Sequence, residues 1–99
     1  MAYRIYTNGK LRVTNGQRAK KSVIVYGPPG SGKTRNAELI RDFFGYDKVC
    51  DGASMVDFNF PKKGHVVLTN DVPDENLLLQ NRLTAYSVEQ LKRLMPKWI

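Results

Sequence analysis

The strongest chemistry in the chain lies in one continuous run, Gly27-Pro28-Pro29-Gly30-Ser31-Gly32-Lys33-Thr34. The spacing G-x-x-x-x-G-K-T suits a loop that wraps an anion. Gly27, Gly30 and Gly32 are expected to take backbone conformations closed to other residues and to bring N–H groups against phosphate oxygens. Lys33 would neutralise β- and γ-phosphates as a mobile point charge, and Thr34 would offer its hydroxyl to Mg²⁺. Pro28 and Pro29 stiffen the approach, and Ser31 and Arg35 fall in the same contact run. Arg35 also reads as a solvated helix residue. A helix beginning at Lys33 would add its positive end to the field and leave the lysine at an exposed loop-to-helix junction.

This run resembles the Walker A motif of the P-loop NTPase superfamily, with a specific likeness over about residues 22–44. Average residue usage produces the pattern by accident roughly once in a few hundred chains of this length. The shortness of the chain, and the run Leu68-Thr69-Asn70-Asp71 leading into a capped helix, also resemble small P-loop proteins of phage and mobile-element genomes. The resemblance implies ATP or GTP with Mg²⁺ as cofactors, and an acid at the end of a neighbouring strand to hold the metal's hydration shell. Asp71, just after the apolar run 65–69, and Asp51, ending a shorter strand, are the two candidates. A helix-initiating turn with Asp74 accounts equally well for Asp71. Asn70 is similar in position to the polar sensor of AAA-type ATPases, which would orient a water near the γ-phosphate. Lys33 and Asn70 are thus the candidate catalytic residues, and Thr34, Asp71 and Asp51 the candidate metal-shell residues.

Turnover also calls for a positive charge at the γ-phosphate. Arg18, Lys20, Lys21 and Arg35 are near the loop in sequence, but none stands out. His65 begins a buried strand and reads as structural. Cys50 reads as a small buried apolar residue. The five tyrosines are spread along the chain and make no base-stacking platform. Trp98 and Ile99 either close the core or form an apolar tail for a partner.

The elements that must position these residues follow from pattern. Tyr3 to Tyr6 and Lys10 to Val13 flank Asn8-Gly9, the favoured pair for a tight hairpin turn. Asn15-Gly16 and the polar run 17–21 form a further turn or loop. Ser22 to Tyr26 and His65 to Thr69 are uncharged or β-branched runs of the kind buried on both faces of a sheet. Lys33 to Phe44 is helical, with Ala37, Ile40, Phe43 and Phe44 as its apolar positions and Gly45 as its stop. Lys48 to Asp51 is a short strand, followed by a loop from Gly52 to Lys63. Asp74 caps a helix through Gln80, Arg82 to Tyr86 alternates as a strand, and Ser87 with Gln90 makes a capping box. That last helix would bury Leu91, Leu94 and Met95 before Pro96 ends it. The order predicts an α/β fold: a compact, mainly parallel P-loop sheet with flanking helices, right-handed crossovers and an N-terminal β-hairpin.

Ninety-nine residues allow one domain, read as a minimal nucleotide-binding unit over 1–99 whose residues 1–21 form a basic hairpin and loop. No apolar run approaches the ~20 residues of a membrane span, and the N-terminus lacks a signal-peptide pattern. With one cysteine, an intracellular, cytoplasmic protein is expected. The net charge of +7 is unevenly placed: residues 1–37 carry eight cations and no acid, while 38–99 are close to neutral. Such asymmetry points to an anionic partner, either nucleotide or nucleic acid bound through residues 1–37. The favoured function is a nucleotide-binding protein with slow or partner-dependent NTP hydrolysis. The alternatives are a basic nucleic-acid-binding accessory protein and a small phosphotransferase. Homo-oligomerisation would bring missing catalytic groups in trans.

Overall fold

The computed structural model describes residues 20–99 in full and the backbone of residues 4–7 and 10–13. The Asn8-Gly9 and Asn15-Gly16 turns, and Arg18, lie outside the described residues. Strands β1 (Arg4–Thr7) and β2 (Lys10–Val13) pair antiparallel, Arg4 opposite Val13 and Thr7 opposite Lys10.

The main body is an α/β unit. Its elements in order are β3 (Val23–Tyr26), α1 (Ala37–Phe44), β4 (Lys48–Ala53), β5 (His65–Thr69), α2 (Glu75–Asn81), β6 (Thr84–Ser87) and α3 (Val88–Leu94). The four strands form one sheet in the order β4-β5-β3-β6, and every pairing is parallel. β3 pairs Val23 with Val66 on one side and with Thr84 on the other, so it lies inside the sheet.

Successive side chains of a strand point to opposite faces, and both faces of β3 and β5 are covered. Val23, Val25, Val66 and Leu68 pack with Ile40 of α1 and with Val88, Leu91 and Met95 of the α3 segment. Ile24 and Val67 face the other way, onto Met55, Phe60 and Leu83. Burial on both sides is why these strands read as unbroken apolar runs rather than as alternating ones. The β4-to-β5 connection, residues 54–64, supplies part of that second layer without a helix. It returns along the chain before β3, where buried Ser22 donates its hydroxyl to Pro61 O at 2.9 Å and accepts from His65 N–H at 3.1 Å.

Three helix details differ from the sequence expectation. Residues 33–36 form turns, and α1 begins only at Ala37. Asn36 N–H reaches Gly32 O, whereas Ala37 N–H takes the nearer Thr34 O, so the ladder is irregular before it settles. Phe43 and Leu94 are 48% and 52% exposed instead of buried. α1 and the α3 segment each turn an i, i+3, i+7 ridge to the sheet: Ala37, Ile40 and Phe44, with Leu39 beside them, and Val88, Leu91 and Met95. Phe43 and Leu94 sit beside those ridges. The Ser87–Gln90 capping box and the Asp74 cap form as expected. Among the described residues, no helix is long and apolar enough to cross a membrane.

Candidate functional site

The glycine-rich loop, residues 27–34, leaves the carboxyl end of β3 between its two neighbours. Gly27 N–H continues the ladder by donating to Thr69 O at 3.2 Å. Gly30 and Gly32 take φ of +80° and +96°, the left-handed region that other residues avoid. Gly27 does not, contrary to the sequence expectation. Its requirement is space: a Cβ there would lie 2.7 Å from Val88 Cγ2, because α3 starts directly beside the loop.

Lys33 is 6% exposed, so the expected exposed junction is corrected to a buried ammonium folded back into its own loop. Its Nζ donates to Gly27 O at 2.7 Å, Pro28 O at 3.0 Å and Ser31 Oγ at 3.2 Å. A lysine has three donors and all three are used. Burial lowers its pKa from the ordinary value, and the Asp51 carboxylate opposes that shift. The lysine ties the start of the loop to its end while keeping its positive charge beside the cleft.

That cleft, about 670 Å³, is lined by Pro29 through Arg35, by Asp51 and Gly52 of β4, and by Leu68, Thr69 and Asn70 from the end of β5. Lys92 of α3, Trp98 and Ile99 complete it. The volume falls in the range of sites for small molecules and cofactors. Gly27 and Pro28 instead line an adjoining, mostly apolar hollow of about 290 Å³ with Val72 and Val88.

The sheet order separates the two candidate acids. Thr34 Oγ1 donates to Asp51 Oδ2 at 2.8 Å, which joins the loop to the end of β4 across the open side of the cleft. Asp71 turns away. Its Oδ2 accepts from Met55 N–H at 3.0 Å, its own N–H donates to Thr69 Oγ1 at 3.1 Å, and it does not line the cleft. A hydroxyl and one carboxylate are suitable for a hard, oxygen-seeking cation that takes its other ligands from phosphate and water. Among the described residues there is no cluster of three or more His, Cys, Asp or Glu side chains to form an all-protein cage.

Asn70 and Arg35 are exposed and line the cleft. Lys20 and Lys21 precede β3, whereas the loop follows it. Lys20 donates to Phe44 O at 2.9 Å and lies 4.2 Å from the Tyr46 ring centroid. His65 likewise begins β5, with Nδ1 2.9 Å from Lys63 O. Sequence proximity to the loop was therefore a poor guide to these cations.

Lys92 and Trp98 are the residues that sequence reasoning missed. Lys92 makes a 3.8 Å ion pair with Glu89, one helical turn away on the same exposed face. The available signal was the capping box at Ser87: a helix starting after a strand parallel to β3 begins at the loop's edge of the sheet. Trp98 follows from the same placement, since the chain leaving α3 has to pass the cleft. Comparison with protein-family models, with curated proteins and with solved structures finds no match to this chain.

Proposed function

We propose that the cleft binds the phosphates of a nucleoside triphosphate, ATP or GTP, together with Mg²⁺, and that residues 27–34 act as a P-loop. The observation that carries this reading is the bond from Thr34 to Asp51, made across the same cleft into which the Lys33 loop opens. The loop and β4 there offer a metal-suited oxygen pair beside a fixed positive charge. Gly30 and Gly32 take the left-handed conformations through which a loop can curve around an anion. Lys33 supplies the counter-charge, and its three bonds hold it in place before any ligand arrives. Mg²⁺, when bound, would supply charge neutralisation to the phosphates. Thr34 and Asp51 would hold it, Asp51 directly or through a water.

Asn70 is exposed at the adjacent strand end and lines the cleft, and it would hydrogen-bond a water near the terminal phosphate. Arg35 and Lys92 are the cations that border the cleft without being tied into the loop. Neither is buried, so hydrolysis by the protein alone is slow and waits on a partner or a second copy for its last charge. The test is calorimetric titration with Mg·ATP and Mg·GTP, with and without Mg²⁺. Binding that depends on Mg²⁺ in the wild type and loses that dependence in Asp51→Asn supports the reading. Absence of binding by either nucleotide rejects it.

The acid-free stretch 1–37 favours a second anionic partner, nucleic acid, held without sequence preference through the cations that precede the loop.

A further inference from the structure

The cleft is larger than a phosphate loop requires, and an aromatic ring stands beside the loop in its lining. Trp98, the chain's single tryptophan, is half-buried and packs partly against the core beneath α3. Its Nε1 lies 3.3 Å from where a Cβ on Gly32 would stand, so the indole abuts the carboxyl end of the loop. No other aromatic residue lines the cleft among those described. The indole N–H makes no hydrogen bond to a described residue, although the ring borders open space.

The backbone is held at Trp98 itself and at Ile99. Trp98 N–H donates to O of buried Met95 at 3.1 Å. On the other side, fully buried Asn36 accepts from Ile99 N–H at 2.9 Å and donates to Gly32 O at 2.8 Å and Ile99 O at 3.3 Å. Asn36 stands at the N-cap of α1 but makes no capping bond. Its side chain is committed instead to fastening the segment after α3 onto the loop. A ring held in this way keeps its place without a ligand, which reduces the ordering cost of binding one.

We infer that Trp98 is the nucleobase platform of this cleft, so that the ligand is a nucleoside triphosphate and not an inorganic polyphosphate or a backbone phosphate. The inference rests on the phosphate-loop reading above and specifies its substrate class. Phosphates in the loop leave the nucleoside end of the ligand to extend along the remaining wall, where the indole is the surface with a π-face. Stacking on an aromatic ring tolerates any base and strengthens with ring area, so purines should bind more tightly than pyrimidines.

The experiment compares Mg·ATP, Mg·CTP and Mg·tripolyphosphate on the wild type, Trp98→Ala and Trp98→Phe by calorimetry, and on the wild type also by indole fluorescence. In the wild type, ATP should bind more tightly than CTP and about tenfold more tightly than tripolyphosphate, within the range of one base–aromatic stack. Emission should be quenched by ATP and unaffected by tripolyphosphate. Trp98→Ala should erase the tenfold advantage while leaving tripolyphosphate affinity unchanged, with Trp98→Phe between the two. Equal weakening of all three ligands in both variants would show that the ring merely shapes the loop, and would overturn the proposal. So would a wild type that binds ATP no better than tripolyphosphate, an outcome that leaves the phosphate-loop reading standing. If the alanine variant does not fold, Trp98→Phe and wild-type fluorescence decide the matter. If wild-type protein binds none of the three ligands, the loop reading fails and this proposal fails with it.

Discussion

Replacing Lys33 with alanine should act on ligand affinity and on stability, and the two effects can be separated. The ammonium is a unit charge beside the cleft. Against a phosphate charge at ~4 Å, with an effective dielectric of ~20, it contributes about 4 kcal/mol, or roughly 10³ in affinity. The same group satisfies Gly27 O, Pro28 O and Ser31 Oγ, so its loss also frees the two ends of the loop. Hydrogen bonds to charged groups contribute about 1.5–3 kcal/mol. Pro28 is exposed, so water replaces part of that contribution, and ending the ammonium's desolvation offsets more. A stability loss of about 1–2 kcal/mol is expected, a fall in Tm of roughly 5–15 °C for a domain of this size. Lys33→Met keeps most of the stem and should recover part of the stability but none of the affinity. Calorimetry with Mg·ATP and Mg·GTP, beside thermal unfolding of each variant, measures both quantities. A folded Lys33→Ala protein with wild-type nucleotide affinity would refute the assignment of the loop to phosphate.

Gly27→Ala should destabilise by about 1–3 kcal/mol through overpacking against Val88, and adding Val88→Ala should restore part of the loss in urea melts. Tyr46 donates its hydroxyl to Lys21 O, and burial, with Tyr86 nearby, raises its pKa above the ordinary 10.0. The folded state thus favours the neutral phenol. Its contribution is complete below the unfolded pKa and is lost as pH rises through the higher folded value, so stability should fall as pH climbs above about 10. That fall should be smaller in Tyr46→Phe. Binding to duplex DNA should weaken with salt at about −0.9 in log–log slope per phosphate neutralised. Serine at Lys10, Arg12, Lys20 and Lys21 should flatten that slope, with Lys20 contributing least because it is held at Phe44 O and over Tyr46. No wild-type binding at ~50 mM salt removes the nucleic-acid reading. Phosphate release from saturating Mg·ATP or Mg·GTP should stay below about 1 s⁻¹, with Lys33→Ala as the contamination control. Faster turnover, absent from that control, would mean that the isolated chain holds a complete catalytic set.

Local pattern located most elements because each carried its own signal. His65–Thr69 forms the expected strand, since a β-branched run covered on both faces has no other stable placement. Asp74 and Ser87 start their helices because a side-chain oxygen meets backbone N–H groups within three residues, a purely local arrangement. The choice between Asp51 and Asp71 was not local. Asn70 and Asp71 are adjacent in the chain, yet Asn70 borders the cleft while Asp71 holds Met55 on the other side. Nothing in the spacing of Leu68-Thr69-Asn70-Asp71 says where the strand turns. Phe43 and Leu94 were misplaced for a related reason. Helical spacing gives a stripe, but only the packed structure says how wide a stripe the sheet can cover.

If the cleft takes a nucleotide as proposed, the order β4-β5-β3-β6 would equip it better to hold phosphate than to cleave it. Lys33 and the loop belong to β3 inside the sheet, where strands on both sides fix the backbone. Thr34 meets Asp51 two strands away, a distance bridged because both leave the same edge. These groups are held by bonds already made. Asn70, Arg35 and Lys92 border the same space from exposed positions, and Lys92 is restrained by one ion pair of 3.8 Å. Stabilising charge in a transition state requires donors fixed in advance, because ordering them during the reaction adds to the barrier. On the proposed function, a nucleotide would be gripped by the groups already bonded, while the exposed cations would need another surface to fix them. The surface that closes over Arg35 and Lys92, from a partner or a second copy, is where control of turnover would lie.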